Sequence, residues 1–355
     1  MGKPTNTYSA RGATFNTSNR FLKHQHQHWI QEAIDDWEVY DKKTTFIEEH
    51  AKTLVNQVTS PDVGMYYSMN PYQGCEHGCS YCYARNAHEY WGLSAGLDFE
   101  QKIIVKKNAP ELLRKFLMQK EWTGTPISLS GNTDCYQPAE KKFEITKQLL
   151  QVCLQFKQPV AIITKNAGIL RDAHLLAQLA AQNLAMVMVT ITTLNHQLRR
   201  TMEPRTTTPE LRLKVIEQLS KAGIPCGIMI GPVIPGLNDH EIHHLLKTAA
   251  SAGAISSAYT FVRLNGSVQF IFRAWLYHHY AHKADKVWNM ITQAHGGQVN
   301  DTRFGLRMRG EGPLADLVYQ QFKKYSKLYG LASNPIALDS SKFCPPGHAR
   351  QGTLF

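Results

Sequence analysis

From about residue 66 onward the chain alternates short apolar, β-branched runs with longer stretches whose apolar residues recur at spacings of three and four. The runs are residues 66–70, ISLS at 127, VAIIT at 160, MVMVTIT at 186, GIMIGPVI at 227 and AYTFVRL at 258. Between them lie PELLRKFLMQ, AEKKFEITKQLLQVCLQF, RDAHLLAQLAAQ, TPELRLKVIEQLSKAG and DHEIHHLLKTAASAG. This is the rhythm of βα units. Strands that are apolar throughout are buried on both faces, so the pattern predicts an α/β protein with a parallel sheet under helices, either an open sheet or a βα barrel.

The helix after residue 208 has a clear start in Thr208-Pro209 and a stop at 223–225. Residues 1–60 read as an N-terminal extension, polar and irregular at first, then helical over about 31–58. Residues 61–265 hold the βα array, and 266–355 form a mostly helical, basic C-terminal region ending in a loop-like tail. There is no internal repeat beyond the βα period.

In either α/β arrangement chemistry collects beyond the C-terminal ends of the strands. The chemically unusual residues stand there: GCEHGCSYCYAR after the first run, SGNTDCYQP after the second, TKN after the third, TITTLN after the fourth and GPVIPGLND after the fifth.

Composition narrows the class. A chain of 355 residues, 43% hydrophobic, can bury a large core without staples. No segment approaches the roughly 18 uninterrupted apolar residues of a membrane span, and MGKPTNTYSARGATF carries no apolar run backed by a cleavage site. A soluble cytoplasmic protein is expected. In that reducing compartment seven cysteines, three of them clustered, argue for metal or catalytic thiolates over disulfides. Lys plus Arg exceed Asp plus Glu by 39 to 28, and from Arg263 onward twelve basic residues face five acidic ones, so the last quarter carries +7 of the net +11. Such a field attracts polyanions, with nucleic acid the first candidate and a solvated basic face the plain alternative.

Cys75, Cys79 and Cys82 are spaced CxxxCxxC, with Tyr81 directly before the last. A structural zinc site needs a closed tetrahedron, whose fourth ligand would be His77, His88 or a distant residue. An iron-sulfur cube held by three thiolates instead leaves one iron open, as a reactive site requires.

CxxxCxYC after the first strand of a six-strand βα array resembles the radical S-adenosylmethionine (radical SAM) superfamily. That resemblance implies a partial (β/α)6 TIM-like barrel, a 4Fe-4S cluster on the three cysteines, and S-adenosylmethionine chelated by the open iron. It also implies a 5'-deoxyadenosyl radical after one-electron reduction by a partner such as flavodoxin or ferredoxin. NPYQGCEHGCSYCYAR, SGNTDCYQPAE, ITKN and GPVIPGLND are together similar to the spore photoproduct lyase-related branch, over about residues 65–264. Its bacterial relatives share the RGATFNTSNRF opening and the TRFGLRMRGEGP stretch.

Carried over by position, the resemblance assigns Thr133 to the amino group of S-adenosylmethionine, with Asn132 and Asp134 as flanking alternatives. Lys165 goes to the carboxylate, Thr190 to the ribose, and Gly231 with Tyr81 to the adenine. Lys165 and Asp134 could instead form an ordinary salt bridge. The lyase returns hydrogen to its substrate from a cysteine just after the second strand; Gly131 stands at that place here. Cys135, four residues on, is the displaced candidate donor, with core packing as its ordinary role.

Weaker signals remain. His240-Glu241-Ile242-His243-His244 matches HExxH, but Asn238 and Asp239 look like caps that would put it in the first helical turn, and no third ligand follows at the needed spacing. It reads as a decoy. His24, His26 and His28 read as a polar face, and His278, His279 and His282 as helix surface or nucleic-acid contact. Arg303, Arg307 and Arg309 around Phe304 suit phosphate contact with base stacking, or equally a loop tied down through Glu311. The end, Gln351-Gly352-Thr353-Leu354-Phe355, is similar to the pentapeptide by which bacterial repair proteins dock on the sliding clamp, with Gln351, Leu354 and Phe355 as the contacts. The resulting expectation is a radical SAM enzyme acting on nucleic acid, most readily DNA. Modification of RNA or a protein residue, and a non-catalytic zinc-stabilised nucleic-acid-binding protein, are the rivals.

Overall fold

The computed structural model describes residues 11–22, 43–333 and 336–346. His24, His26, His28 and the clamp-like Gln351, Leu354 and Phe355 lie outside the described residues. The strands in chain order are β1 (Thr45–Glu49), β2 (Val55–Gln57), β3 (Tyr67–Met69), β4 (Tyr72–Gln73), β5 (Lys102–Lys106), β6 (Ile127–Leu129), β7 (Val160–Thr164), β8 (Ala185–Thr190), β9 (Cys226–Val233) and β10 (Ser256–Phe261).

The six runs read from the sequence are β3, β6, β7, β8, β9 and β10. They pair in parallel in chain order, with β2 antiparallel on the β3 edge. Helices fill each crossover, as parallel pairing demands. On the outer face Tyr67 of β3 packs against Phe116 and Trp122, ring centroids 6.4 and 4.8 Å away. The sheet order ends at β10 and β2 without closing, so the architecture is a partial (β/α)6 TIM-like barrel.

The helical reading of 31–58 is overturned where the structure describes it. β1 and β2 are strands, and β1 pairs in parallel with β5, which pairs with β4 in a small second sheet. The cause is a distant partner: Ile103, Ile104 and Val105 of β5 are buried and hold Thr45–Glu49 extended, a pairing that local periodicity cannot register. The stretch AEKKFEITKQLLQVCLQF forms two helices, Glu140–Phe143 and Ile145–Phe156, divided at Glu144 with φ +48°.

Thr208 and Pro209 do start a helix, Pro209–Lys221, though the Thr208 hydroxyl caps nothing. Asn238 and Asp239 do not cap the following helix with their side chains. Asn238 accepts from the Ile234 amide (2.6 Å) and donates to the Thr192 and Pro232 carbonyls, while Asp239 accepts from the Gly236 amide (2.9 Å). Both fasten the loop leaving β9.

The C-terminal region contributes the helices Val268–His279, Ala284–Gln293 and Pro313–Leu328. The loop between the last two crosses the open side of the barrel. At one end the Phe261 amide donates to the Met308 carbonyl (2.8 Å); at the other the Gly305 amide donates to Asp62 (2.7 Å) in the β2–β3 connection, and Arg307 pairs with the same carboxylate. It is a strap between the two terminal strands of the sheet. Among the described residues no helix is long and apolar enough to cross a membrane.

Candidate active site

The three cysteines lie in one loop between β4 and a short 3-10 helix, Tyr83–Trp91, at the C-terminal end of the sheet. Backbone bonds pin the loop: Cys75 N–H to Phe99 O (2.8 Å) and Ser80 N–H to Met202 O (3.0 Å). Gln137, fully buried, accepts from the Glu76 amide and donates to the Gly74 carbonyl, both at 3.0 Å, so one side chain holds the peptide groups flanking Cys75. Arg85 donates to the Cys79 carbonyl (2.9 Å) and pairs with Glu100 (2.5 Å); neither side chain reaches solvent.

Glu100 has a second task. Its carboxylate accepts from the amides of Gly12 (3.1 Å) and Ala13 (2.8 Å), so the N-terminal strip is sewn onto the cysteine loop. Gly12 is required by close approach: a Cβ there would lie 1.6 Å from the Gly78 carbonyl oxygen.

Cys75 and Cys79 are buried and Cys82 is partly so. Burial pushes all three thiols up, and Cys75 lies in the field of both other sulfurs. Three thiolates here therefore need positive charge beside them. Lys165 and, at Cys82, Arg85 act in that direction, and cluster iron would complete it.

No group of three or more His, Cys, Asp or Glu among the described residues is arranged to hold a single metal ion. His77 faces Asn166 (3.1 Å) and Asp134 (3.4 Å) with its two ring nitrogens, which removes it as a fourth ligand. Three thiols on one loop, with His77 turned to other partners, fit a cluster held by three thiolates.

The residues assigned to S-adenosylmethionine gather around this loop. Lys165 places its ammonium 5.9 Å over the Tyr81 ring. It forms no salt bridge with Asp134, whose carboxylate accepts instead from the Lys165 amide and the Thr164 hydroxyl, each at 2.8 Å. Thr133 donates its hydroxyl to the Tyr72 carbonyl (2.6 Å), and Asn132 donates its side-chain amide to Gln73 (2.8 Å), so the turn after β6 is stitched to the strand leading into the cysteines. Thr190 is buried at the end of β8, and the Gly231 carbonyl on β9 accepts from Thr192 (3.2 Å).

One network escaped the sequence. The Tyr81 hydroxyl donates to Glu203, which pairs with Arg212 at 2.6 Å, and all three side chains are buried. Burial raises the Glu203 carboxyl, but Arg212, Lys165 and the Tyr81 and Thr192 hydroxyls outweigh it and bring it down to about 2. Glu203 and Arg212 lie far from any motif in the chain, and only the fold joins them to Tyr81.

Gly131 leaves no room for a side chain: a Cβ would come within 2.8 Å of Ser68 Cβ. Its carbonyl accepts from the half-exposed Tyr83 hydroxyl at 2.8 Å. Cys135 is sealed in the main hydrophobic core, its amide donating to Ser130 and its carbonyl accepting from Thr146.

The three loop arginines have internal partners. Arg303 pairs with Asp301 and Glu311 (2.6 Å each), Arg307 with Asp62, and Arg309 lies 4.3 Å over the Tyr319 ring. In the HExxH segment Glu241 accepts from Thr193 and the Leu194 amide, while His243 stacks on Tyr325 at 4.2 Å and bonds the Tyr329 hydroxyl. His278 and His279 pack edge to face, 4.6 Å apart, at the end of their helix.

A loop of three thiols, two buried and one partly so, at the mouth of a partial βα barrel defines a class, and known proteins agree with it. Residues 69–249 match the model of the radical SAM superfamily. The chain belongs to that superfamily. An uncharacterised protein of Mycobacterium tuberculosis is 34% identical over 235 residues, covering 65% of this chain and 69% of the relative. A radical SAM Nalpha-GlyT isomerase of Pseudomonas phage M6 is 25% identical over 186 residues, 52% of this chain and 36% of that protein. Among solved structures a mutant of spore photoproduct lyase superposes with a TM-score of 0.57 at 14% identity, covering 81% of each chain, which establishes a shared fold. Membership brings the 4Fe-4S cluster and S-adenosylmethionine as cofactors, and the three thiols fit the first of these.

Proposed function

We propose that this enzyme directs its radical at a nucleic-acid substrate, most readily DNA. The carrying observation is charge: the chain from residue 263 onward holds +7 of the net +11, and its 294–312 loop crosses the open side of the barrel. A substrate strand approaching that mouth meets a positive field. The dinucleoside spore photoproduct held in a solved complex of the lyase that shares this fold lends support.

When bound, the cluster and S-adenosylmethionine supply a 5'-deoxyadenosyl radical. Cys75, Cys79 and Cys82 would hold the cluster. Lys165 beside that loop would orient the cofactor's carboxylate, and Tyr81 within it the base. The lyase's cysteine has no counterpart at Gly131, and Cys135 is sealed in the core, so the reaction differs from repair of the spore photoproduct in how its radical ends. A reductase of the flavodoxin or ferredoxin type is the electron source that fits, and the tail at Gln351, Leu354 and Phe355 would bring the enzyme to a sliding clamp.

The test is isotopic. Anaerobic enzyme with dithionite and S-adenosylmethionine is offered deuterated single-stranded DNA, and deuterium should appear in 5'-deoxyadenosine or its precursor. Label arriving only from deuterated RNA or peptide would assign the substrate to a rival class.

A further inference from the structure

Arg263 stands just past β10, at the mouth of the barrel, and its electrostatic neighbours are Arg307, Asp62, Tyr83 and His295. Tyr83 follows the third cysteine directly, so this guanidinium lies within the electrostatic reach of the cluster loop. Among the described residues its Nε is shut away from solvent without a hydrogen-bond partner, and its Nη1 has the Met308 sulfur at 4.0 Å.

The local charges do not balance. Asp62 is the carboxylate facing both Arg263 and Arg307, and Arg307 together with the Gly305 amide already occupies it. A half-buried guanidinium keeps its charge at any physiological pH, and leaving it dehydrated and unpaired is unfavourable unless an anion arrives. The planar fork of arginine matches two oxygens of a phosphate. Beside it Tyr83, 53% exposed with its hydroxyl held by Gly131, offers a fixed ring face on which a base can lie.

We propose that Arg263 is the phosphate anchor of the substrate site, gripping a phosphodiester next to the nucleotide presented to the cluster. This rests on the nucleic-acid reading above. Arg303, Arg307 and Arg309 then serve the strap that frames the anchor.

The experiment measures binding of a fluorescent single-stranded oligodeoxynucleotide to the anaerobically loaded, full-length protein by anisotropy across a salt series. Arg263→Gln should weaken binding about tenfold and flatten the slope of log affinity against log salt by about 0.7, the value for one phosphate contact on a single strand. Arg263→Lys should keep the slope and weaken binding only a few-fold, because the charge stays and the fork is lost. The melting temperature of Arg263→Gln should equal or exceed that of the parent, since an unpaired buried charge has been removed. Unchanged affinity and slope in Arg263→Gln would overturn the anchor while leaving the nucleic-acid reading intact. A drop of several degrees in melting temperature would also overturn it, by making Arg263 a structural partner of Asp62. No binding by the parent protein would remove both readings.

Discussion

The side-chain amide of Gln137 spans Cys75, accepting from the peptide N–H on one side and donating to the carbonyl on the other, each at 3.0 Å. Both groups are buried, so removing the amide strands two polar backbone atoms at about 1–3 kcal/mol each. Gln137→Ala should therefore bind less iron and sulfide after anaerobic reconstitution, and its cluster absorbance should fade faster on chelation. Gln137→Glu keeps the acceptor and loses the donor, and should fall between the two. Equal iron content in all three proteins would deny Gln137 a part in shaping the loop.

Arg85 and Glu100 are a fully buried ion pair, and breaking such a pair from one side costs about 3–5 kcal/mol. Because Glu100 also receives the Gly12 and Ala13 amides, Glu100→Ala should loosen the N-terminal strip as well as the cysteine loop. Limited proteolysis should cut within residues 11–22 far sooner in the variant. Gly12→Ala, whose added carbon cannot coexist with the Gly78 carbonyl, should release the strip while sparing the ion pair. Oxygen-driven bleaching of the cluster, followed by absorbance, should then accelerate in both.

His295 binds the Val262 carbonyl through Nε2 at 2.6 Å, next to Arg263, and its Nδ1 is buried without a partner. Burial lowers its pKa, against the pull of the Val262 carbonyl and Asp301. The folded protein then resists a proton that the unfolded chain accepts near pH 6.5, so stability is full above that value and declines as pH falls below it. His295→Gln retains a donor and cannot titrate. The melting-temperature advantage of the parent over this variant should shrink from about pH 8 to about pH 5.5, and a constant difference would contradict the assignment.

The legibility of this chain divides along a physical line. The six parallel strands are readable because each sits in a short run rich in apolar and β-branched residues, a local property of three to eight residues. The cysteine loop was readable because its ligands are close in sequence. β1 reads locally as helix because its partner β5 lies more than fifty residues away, and the pairing outweighs the propensity of TFIEE. Gln137, Glu203 and Arg212 carry no signal in the sequence because a buried polar group declares itself only through its partners. Arg303 and Arg307 are visible as a basic cluster with Glu311 as an alternative tie, which the structure bears out, yet sequence cannot show Asp301 and Asp62 waiting beside it.

The central claim is that three thiols hold a cluster with one iron left for S-adenosylmethionine. Electron paramagnetic resonance of the reduced, anaerobically purified protein, taken before and after adding S-adenosylmethionine, tests it directly. The parent should carry about four iron and four sulfide per chain and show a cluster signal that changes on addition, while Cys79→Ala shows neither. A zinc-loaded, colourless protein, or a cluster signal indifferent to S-adenosylmethionine, would contradict the account.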